Sequence, residues 1–126
     1  MKTITTIIFF TSLLLSSISY GVTKIHSKEA SFYEGENVIA CGVLKEVIRF
    51  KRGLYLNMDN HFPKQSLTLV VWEDDLTEFK EEHGPLQQLV NREICGKGKV
   101  TDYRGRSQIS LYNAFSLKAN NIYMID

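Results

Sequence analysis

From Val38 to Leu117 the apolar side chains fall mostly at every second position, the spacing of strands that bury one face and wet the other. Val38 to Val47 is β-branched and apolar with Gly42 in its middle, which predicts a long strand that bulges or bends at the glycine. After a turn at Phe50-Lys51-Arg52-Gly53, Leu54, Leu56 and Met58 alternate with Tyr55, Asn57 and Asp59. Asn60 to Ser66, containing His61 and Pro63, reads as a loop, and beyond it Leu67, Leu69 and Val71 alternate with Thr68, Val70 and Trp72.

The period then changes. Leu76, Phe79 and Lys80 fall at helical spacing, with Asp74 or Asp75 as the expected N-cap, and Gly84-Pro85 ends the helix before a second helical turn at Leu86 to Val90. Ile94 to Thr101 predicts a fourth strand. The turn Tyr103-Arg104-Gly105-Arg106 leads it into a fifth, where Ile109 and Leu111 alternate with Gln108, Ser110 and Tyr112. Gly53 and Gly105 stand where turns demand positive φ. The expected fold is therefore all-β with one short helix: a five-stranded OB-fold Greek-key barrel, its helix between the third and fourth strands.

The two ends read differently. Met1-Lys2, the uncharged stretch Ile4 to Ile18, and the small residues Ser17, Ser19 and Gly21 have the layout of a secretory signal peptide over residues 1–21, cleaved after Ser19 or Gly21. The apolar run is short for a membrane span and has no basic stop-transfer flank; an uncleaved anchor is the alternative. Export to the periplasm or medium is the expectation. Residues 22–31 are polar and patternless and read as an arm, 32–119 as the barrel domain, and 120–126 as a tail whose apolar cluster begins at Ile122.

Composition narrows the function less than the pattern does. The 126-residue chain carries 15 Lys and Arg against 14 Asp and Glu, and loss of a leader containing Lys2 balances them. A nucleic acid or an anionic membrane would thus be attracted only by an uneven distribution of charge. Cys41 and Cys95 sit in similar surroundings, Ala40-Cys41-Gly42 and Ile94-Cys95-Gly96. An even count in an exported chain favours a disulfide; two buried free thiols and a catalytic thiol are the other readings.

The segments YEGENVIACGVLKEV, RGLYLNMD, LTLVVWEDDLTEF and ICGKGKVTDYRGRSQISL resemble OB-fold nucleic-acid-binding domains of the anticodon-binding type, especially small exported bacterial versions. The likeness runs from about Phe32 to Leu117, and its most specific part is the YRGRSQI hairpin. It implies a binding face on the outer side of the second and third strands, flanked by two loops. Carried onto this chain, the first loop supplies Arg49, Phe50, Lys51 and Arg52, the other Tyr103, Arg104 and Arg106, and the face itself Tyr55, Asn57, Thr68 and Trp72. Cations facing phosphates and rings stacking on bases suit single-stranded nucleic acid. The same topology makes the first and fourth strands neighbours, which would set Cys41 across from Cys95.

A rival reading gives the barrel a protein or glycan partner in the cell envelope, met through apolar positions expected to be exposed, Val70 and Trp72. A third, a metal-dependent nuclease, faces the exported OB-fold nuclease of the micrococcal type. That family relies on several acidic residues where this chain has Asp59 alone. Asp59 and His61 lack a further ligand, and there is no G-x-S-x-G elbow, H-E-x-x-H pair or phosphate loop. No catalytic residue, metal or cofactor is expected.

Overall fold

The computed structural model describes residues 21–119 and Thr3; the rest of the expected leader and the tail from residue 120 lie outside the described residues. The strands are β1 Thr23–His26, β2 Asn37–Phe50, β3 Gly53–Met58, β4 Leu67–Trp72, β5 Glu93–Tyr103, β6 Arg106–Leu111 and β7 Leu117–Ala119, and helix α1 spans Leu76–His83 between β4 and β5. The order strand, strand, strand, helix, strand, strand from β2 to β6 is the one the alternation predicts.

Closure depends on β2, which is long enough to serve two neighbours. Asn37 to Val43 pairs antiparallel with β5, and Leu44 to Phe50 pairs antiparallel with β3. The register slips between Leu44 and Glu46, and this irregularity turns the strand from one partner to the next. β3 pairs with β4, β4 runs parallel to β6, and β6 returns to β5 through the hairpin, so five strands form a closed ring. A closed ring leaves no long unpaired edge among these five.

Inward residues of every strand meet in one core. Leu44, Leu56, Leu69, Ile94, Ile109 and Leu111 are fully buried, and Phe79 of α1 joins them. Burying a side chain of this size is worth about 1.5 to 3 kcal/mol. The helix begins at Leu76 with Asp75 in the N-cap position, but the Asp75 side chain makes no capping bond. The three-residue 3-10 turn Glu73–Asp75 leads into the helix instead. Helical turn Leu86–Leu89 is likewise 3-10, with Leu86 and Leu89 buried.

Residues 22–31, expected to be a patternless arm, belong to the barrel. β1 pairs parallel with β2, Ile25 is buried, and the 3-10 segment Ser27–Tyr33 buries Ser27 and Ala30. Gly42 makes this packing possible: a Cβ there would lie 2.0 Å from Ser27 Oγ. The bend expected at Gly42 falls instead at the register shift between Leu44 and Glu46, and Gly42 is a point of close approach.

The cysteines form a disulfide, with Cys41 and Cys95 directly paired across β2 and β5 and their Cα atoms 4.0 Å apart. This decides among the three readings of the thiols.

Candidate functional site

The outer face of the barrel over β3, β4 and β6 carries a groove of about 250 Å³. Strand registers explain its floor: Asn57 pairs with Thr68, and Thr68 with Gln108, so three polar side chains stand in a row across neighbouring strands. Tyr55 lies two residues along β3 on the same face. Phe62 of the β3–β4 loop, together with Tyr103 and Arg106 of the hairpin, forms one wall, and Ile48 of β2 stands beside Tyr55 on the other side.

A chain of hydrogen bonds fixes the floor. Gln65 Nε2 donates to Thr68 Oγ1 at 3.3 Å, the Thr68 hydroxyl donates to Asn57 Oδ1 at 2.7 Å, and Asn57 Nδ2 donates to Glu46 Oε2 at 2.8 Å. Glu46 Oε2 also accepts from the Phe62 amide at 2.6 Å, which ties the loop wall to β2. Desolvation pushes the Glu46 carboxyl up, yet the Phe62 and Asn57 bonds and nearby His61 outweigh it and hold the pKa below its ordinary 4.5. Asn57 and Thr68 are buried in this network, so the expected outward-pointing pair supplies the groove's polar base and little open surface.

Aromatic rings make up the rest of the face. Phe50 stacks on Tyr55 with centroids 4.0 Å apart and planes 7° apart, and Trp72 meets Phe50 edge-on at 6.0 Å. The Arg106 guanidinium lies 4.4 Å above the Phe62 ring, and Arg104 lies 5.3 Å from the Tyr103 ring. Both contacts hold a cation against a π face. Among the described residues, Gln65 Oε1 and Trp72 Nε1 are buried polar atoms without a hydrogen-bond partner.

The expected site residues thus divide. Tyr55, Asn57, Thr68, Tyr103 and Arg106 line one groove; Phe50 and Trp72 extend it as an aromatic ridge. Arg49 and Phe50 lie on β2, not in a loop, because the connection is a tight turn at Lys51-Arg52 with Phe50 paired to Gly53. Arg49 is ion-paired to Glu73 at 2.5 Å. Lys51 and Arg52 are exposed beyond the Trp72 end of β4, whereas Arg104 projects near its Thr68 end. The two basic turns therefore flank the face at opposite ends, with Tyr55 and Trp72 between them.

Val70, expected to be an exposed apolar position, is only 1% exposed. It shares the outer face with Tyr55 and Ser110, its partners on β3 and β6. Ile48, Glu46, Phe62, Gln65 and Gln108 were not among the expected site residues. Ile48, Glu46 and Gln108 were open to discovery by extending the alternation, since each pairs with an expected residue: Tyr55, Asn57 and Thr68 respectively. Phe62 and Gln65 sit in a loop, where no periodicity marks them.

Asp59 has a different role. It accepts from Ser27 and Ser66 hydroxyls and, at 3.2 Å, from the Val43 amide. Desolvation raises its pKa, but those bonds and the charge of Lys28 leave it below the ordinary 3.8. Its oxygens fasten the 3-10 segment Ser27–Tyr33, β2 and the β3–β4 loop together. Among the described residues no group of three or more His, Cys, Asp or Glu is placed to hold a metal.

No family model matches the chain, and no curated protein matches it in sequence. Solved structures do. A chain of the Schizosaccharomyces pombe Stn1–Ten1 complex superposes with TM-score 0.50 at 15% identity, over 68% of this chain and 58% of that one. The asparaginyl-tRNA synthetase of Pyrococcus horikoshii gives 0.54 at 16% identity, over 79% of this chain and 23% of the synthetase. An OBody bound to hen egg-white lysozyme gives 0.54 at 13% identity, over 79% of this chain and 95% of that one. The fold is an OB barrel. At these identities the likeness fixes the OB fold alone, and the chain spans little more than half of the first of these neighbours and under a quarter of the synthetase.

Proposed function

We propose that this OB barrel is an exported, non-catalytic module that binds single-stranded nucleic acid across the outer face of β3, β4 and β6. The observation that carries the reading is the ring arrangement: the Phe50–Tyr55 stack, with Trp72 at its edge, stands beside a groove walled by Tyr103 and by Arg106 on Phe62. Sequence-tolerant binding of single strands needs flat ring faces for bases and cations for phosphates. Lys51 and Arg52 at one end and Arg104 at the other supply the cations in a chain of nearly balanced charge. A tRNA synthetase among the fold neighbours agrees with a nucleic-acid ligand. The N-terminal apolar stretch and the disulfide support export. Engagement of Asp59 by Ser27, Ser66 and the Val43 amide supports a structural acid over a metal ligand, and so a binding role over a nuclease.

Fluorescence anisotropy with a labelled oligothymidylate tests the proposal. Binding at low salt should weaken as salt rises, and Tyr55→Ala should lose about 1 to 3 kcal/mol, or roughly fivefold to 150-fold in Kd. Absence of binding at low salt, or binding indifferent to both Tyr55→Ala and Arg52→Glu with Arg104→Glu, would sink it.

A protein or glycan partner is the second reading. It is favoured by the apolar walls Ile48 and Phe62 and by the carboxylate of Glu46 beneath the groove. The OBody bound to lysozyme is an instance of this fold holding a protein. Retention of the barrel by an envelope extract, with none on an oligonucleotide column, would decide for this reading.

A further inference from the structure

The aromatic ridge does not stop at Trp72. The parallel register of β4 and β6 ends with Val71 paired to Leu111; Trp72 is the next residue on β4, and Tyr112 is the first residue after β6. Tyr112 is 72% exposed and Phe115, in the turn that follows, 64% exposed. Both line a second groove, with Lys97 and Lys99 of β5 along its other side. Ser110 belongs to this groove as well, and it pairs with Val70, which in turn pairs with Tyr55 of the first groove. The row Tyr55, Val70, Ser110 therefore crosses the barrel surface from one groove to the other.

The second groove has the chemistry of the first with more charge. Lys97 and Lys99 are exposed and lie two residues apart on one strand, so their side chains share a face. The Lys118 ammonium lies 5.8 Å from the Phe115 ring. No carboxylate is among the residues that line the groove. Two open rings beside a pair of lysines, continuous with a proposed single-strand site, fit more of the same polyanion.

We infer that the bound single strand leaves the first groove over Ser110 and continues round the barrel onto Lys97, Lys99, Tyr112 and Phe115, making the site longer than the face of β3, β4 and β6. This rests on the proposed function above and adds a length to it. Short oligomers fill the first groove; longer ones reach the second.

Anisotropy titrations of the whole protein with 4-nucleotide and 12-nucleotide oligothymidylates, each over a salt series, test the inference. Lys97→Gln with Lys99→Gln should weaken the 12-mer about tenfold and flatten its slope of log K against log salt by about 1.4, at about 0.7 per lost phosphate contact. The 4-mer should shift less than twofold. Photocrosslinking of a 12-mer with 5-iodouracil at one end should label Tyr112 or Phe115. If Tyr55→Ala weakens both oligomers while the lysine pair changes neither affinity nor slope of the 12-mer, the first groove stands and the extension is wrong. Lack of binding of either oligomer to the unaltered protein overturns both readings. Lysine-dependent binding to phosphatidylglycerol vesicles, with 12-mer binding untouched, would assign the surface to a membrane and overturn the extension.

Discussion

Asp59 shows how one side chain sets local structure. It stands at φ 69°, in the left-handed region, and its carboxylate gathers Ser27, Ser66 and the Val43 amide. Losing its bonds leaves a buried hydroxyl, Ser27, without that partner, so Asp59→Ala should cost about 2 to 3 kcal/mol in urea unfolding. The pH dependence has a definite sign. Asp59 and Glu46 both titrate below their ordinary values of 3.8 and 4.5, so the folded state releases these protons more readily than the unfolded chain. The stability they add is full above those ordinary values and is lost as pH falls through the lower, folded values. Urea midpoints at pH 7 and pH 3 should therefore draw closer in Asp59→Asn than in the natural protein; an unchanged gap would refute a role for this carboxyl. Gly105 is the other residue whose backbone decides something. At φ 81°, with Arg104 at 52°, it forms a two-residue turn with both central positions in the left-handed region, the type whose twist matches the hairpin it closes.

Among the elements, β2 carries the most. Alternation alone places it, but expects its bend at Gly42 and its end at Val47, whereas the register shifts between Leu44 and Glu46 and the strand continues to Phe50. Three further residues turn Phe50 from a loop residue into the partner of Tyr55's ring, a change that requires β3 to be paired in register. β1 escaped detection for a related reason. It has four residues, one of them buried, and its parallel pairing with β2 leaves no local periodicity to read. The β2–β5 disulfide spans 54 residues of sequence, and closing so long a loop in the unfolded chain should stabilise the fold by about 4 kcal/mol in the chain-entropy model. Cys41→Ser with Cys95→Ser should thus fold with stability lower by about 2 to 4 kcal/mol. Equal urea midpoints for the two proteins would show that the bond restrains nothing.

For the whole molecule, charge matters by placement. Fourteen acids nearly cancel fifteen bases, yet the acids of residues 73–82 gather on α1 and the turn before it, while Lys51, Arg52, Arg104 and Arg106 stand around the candidate face. If those four cations each meet a phosphate of a short oligomer, log K should fall with log salt at a slope near −2.8, at about 0.7 per contact. A slope near zero, with binding intact, would point to an uncharged partner on the same rings.

By itself the sequence determined the strand order, the helix between the third and fourth barrel strands, and which side of the second, third and fifth barrel strands faces inward. Those follow from residue period, which acts over a few neighbours. It also marked Tyr55, Trp72 and the YRGR hairpin as chemistry beyond what folding needs. Tertiary structure decided the rest. It joined Cys41 to Cys95, bound Arg49 to Glu73, buried Val70, recruited Asp59 as a brace and brought Phe62 over from a loop. Each of these depends on which distant segments become neighbours when the barrel closes, and period along one chain carries no information about that.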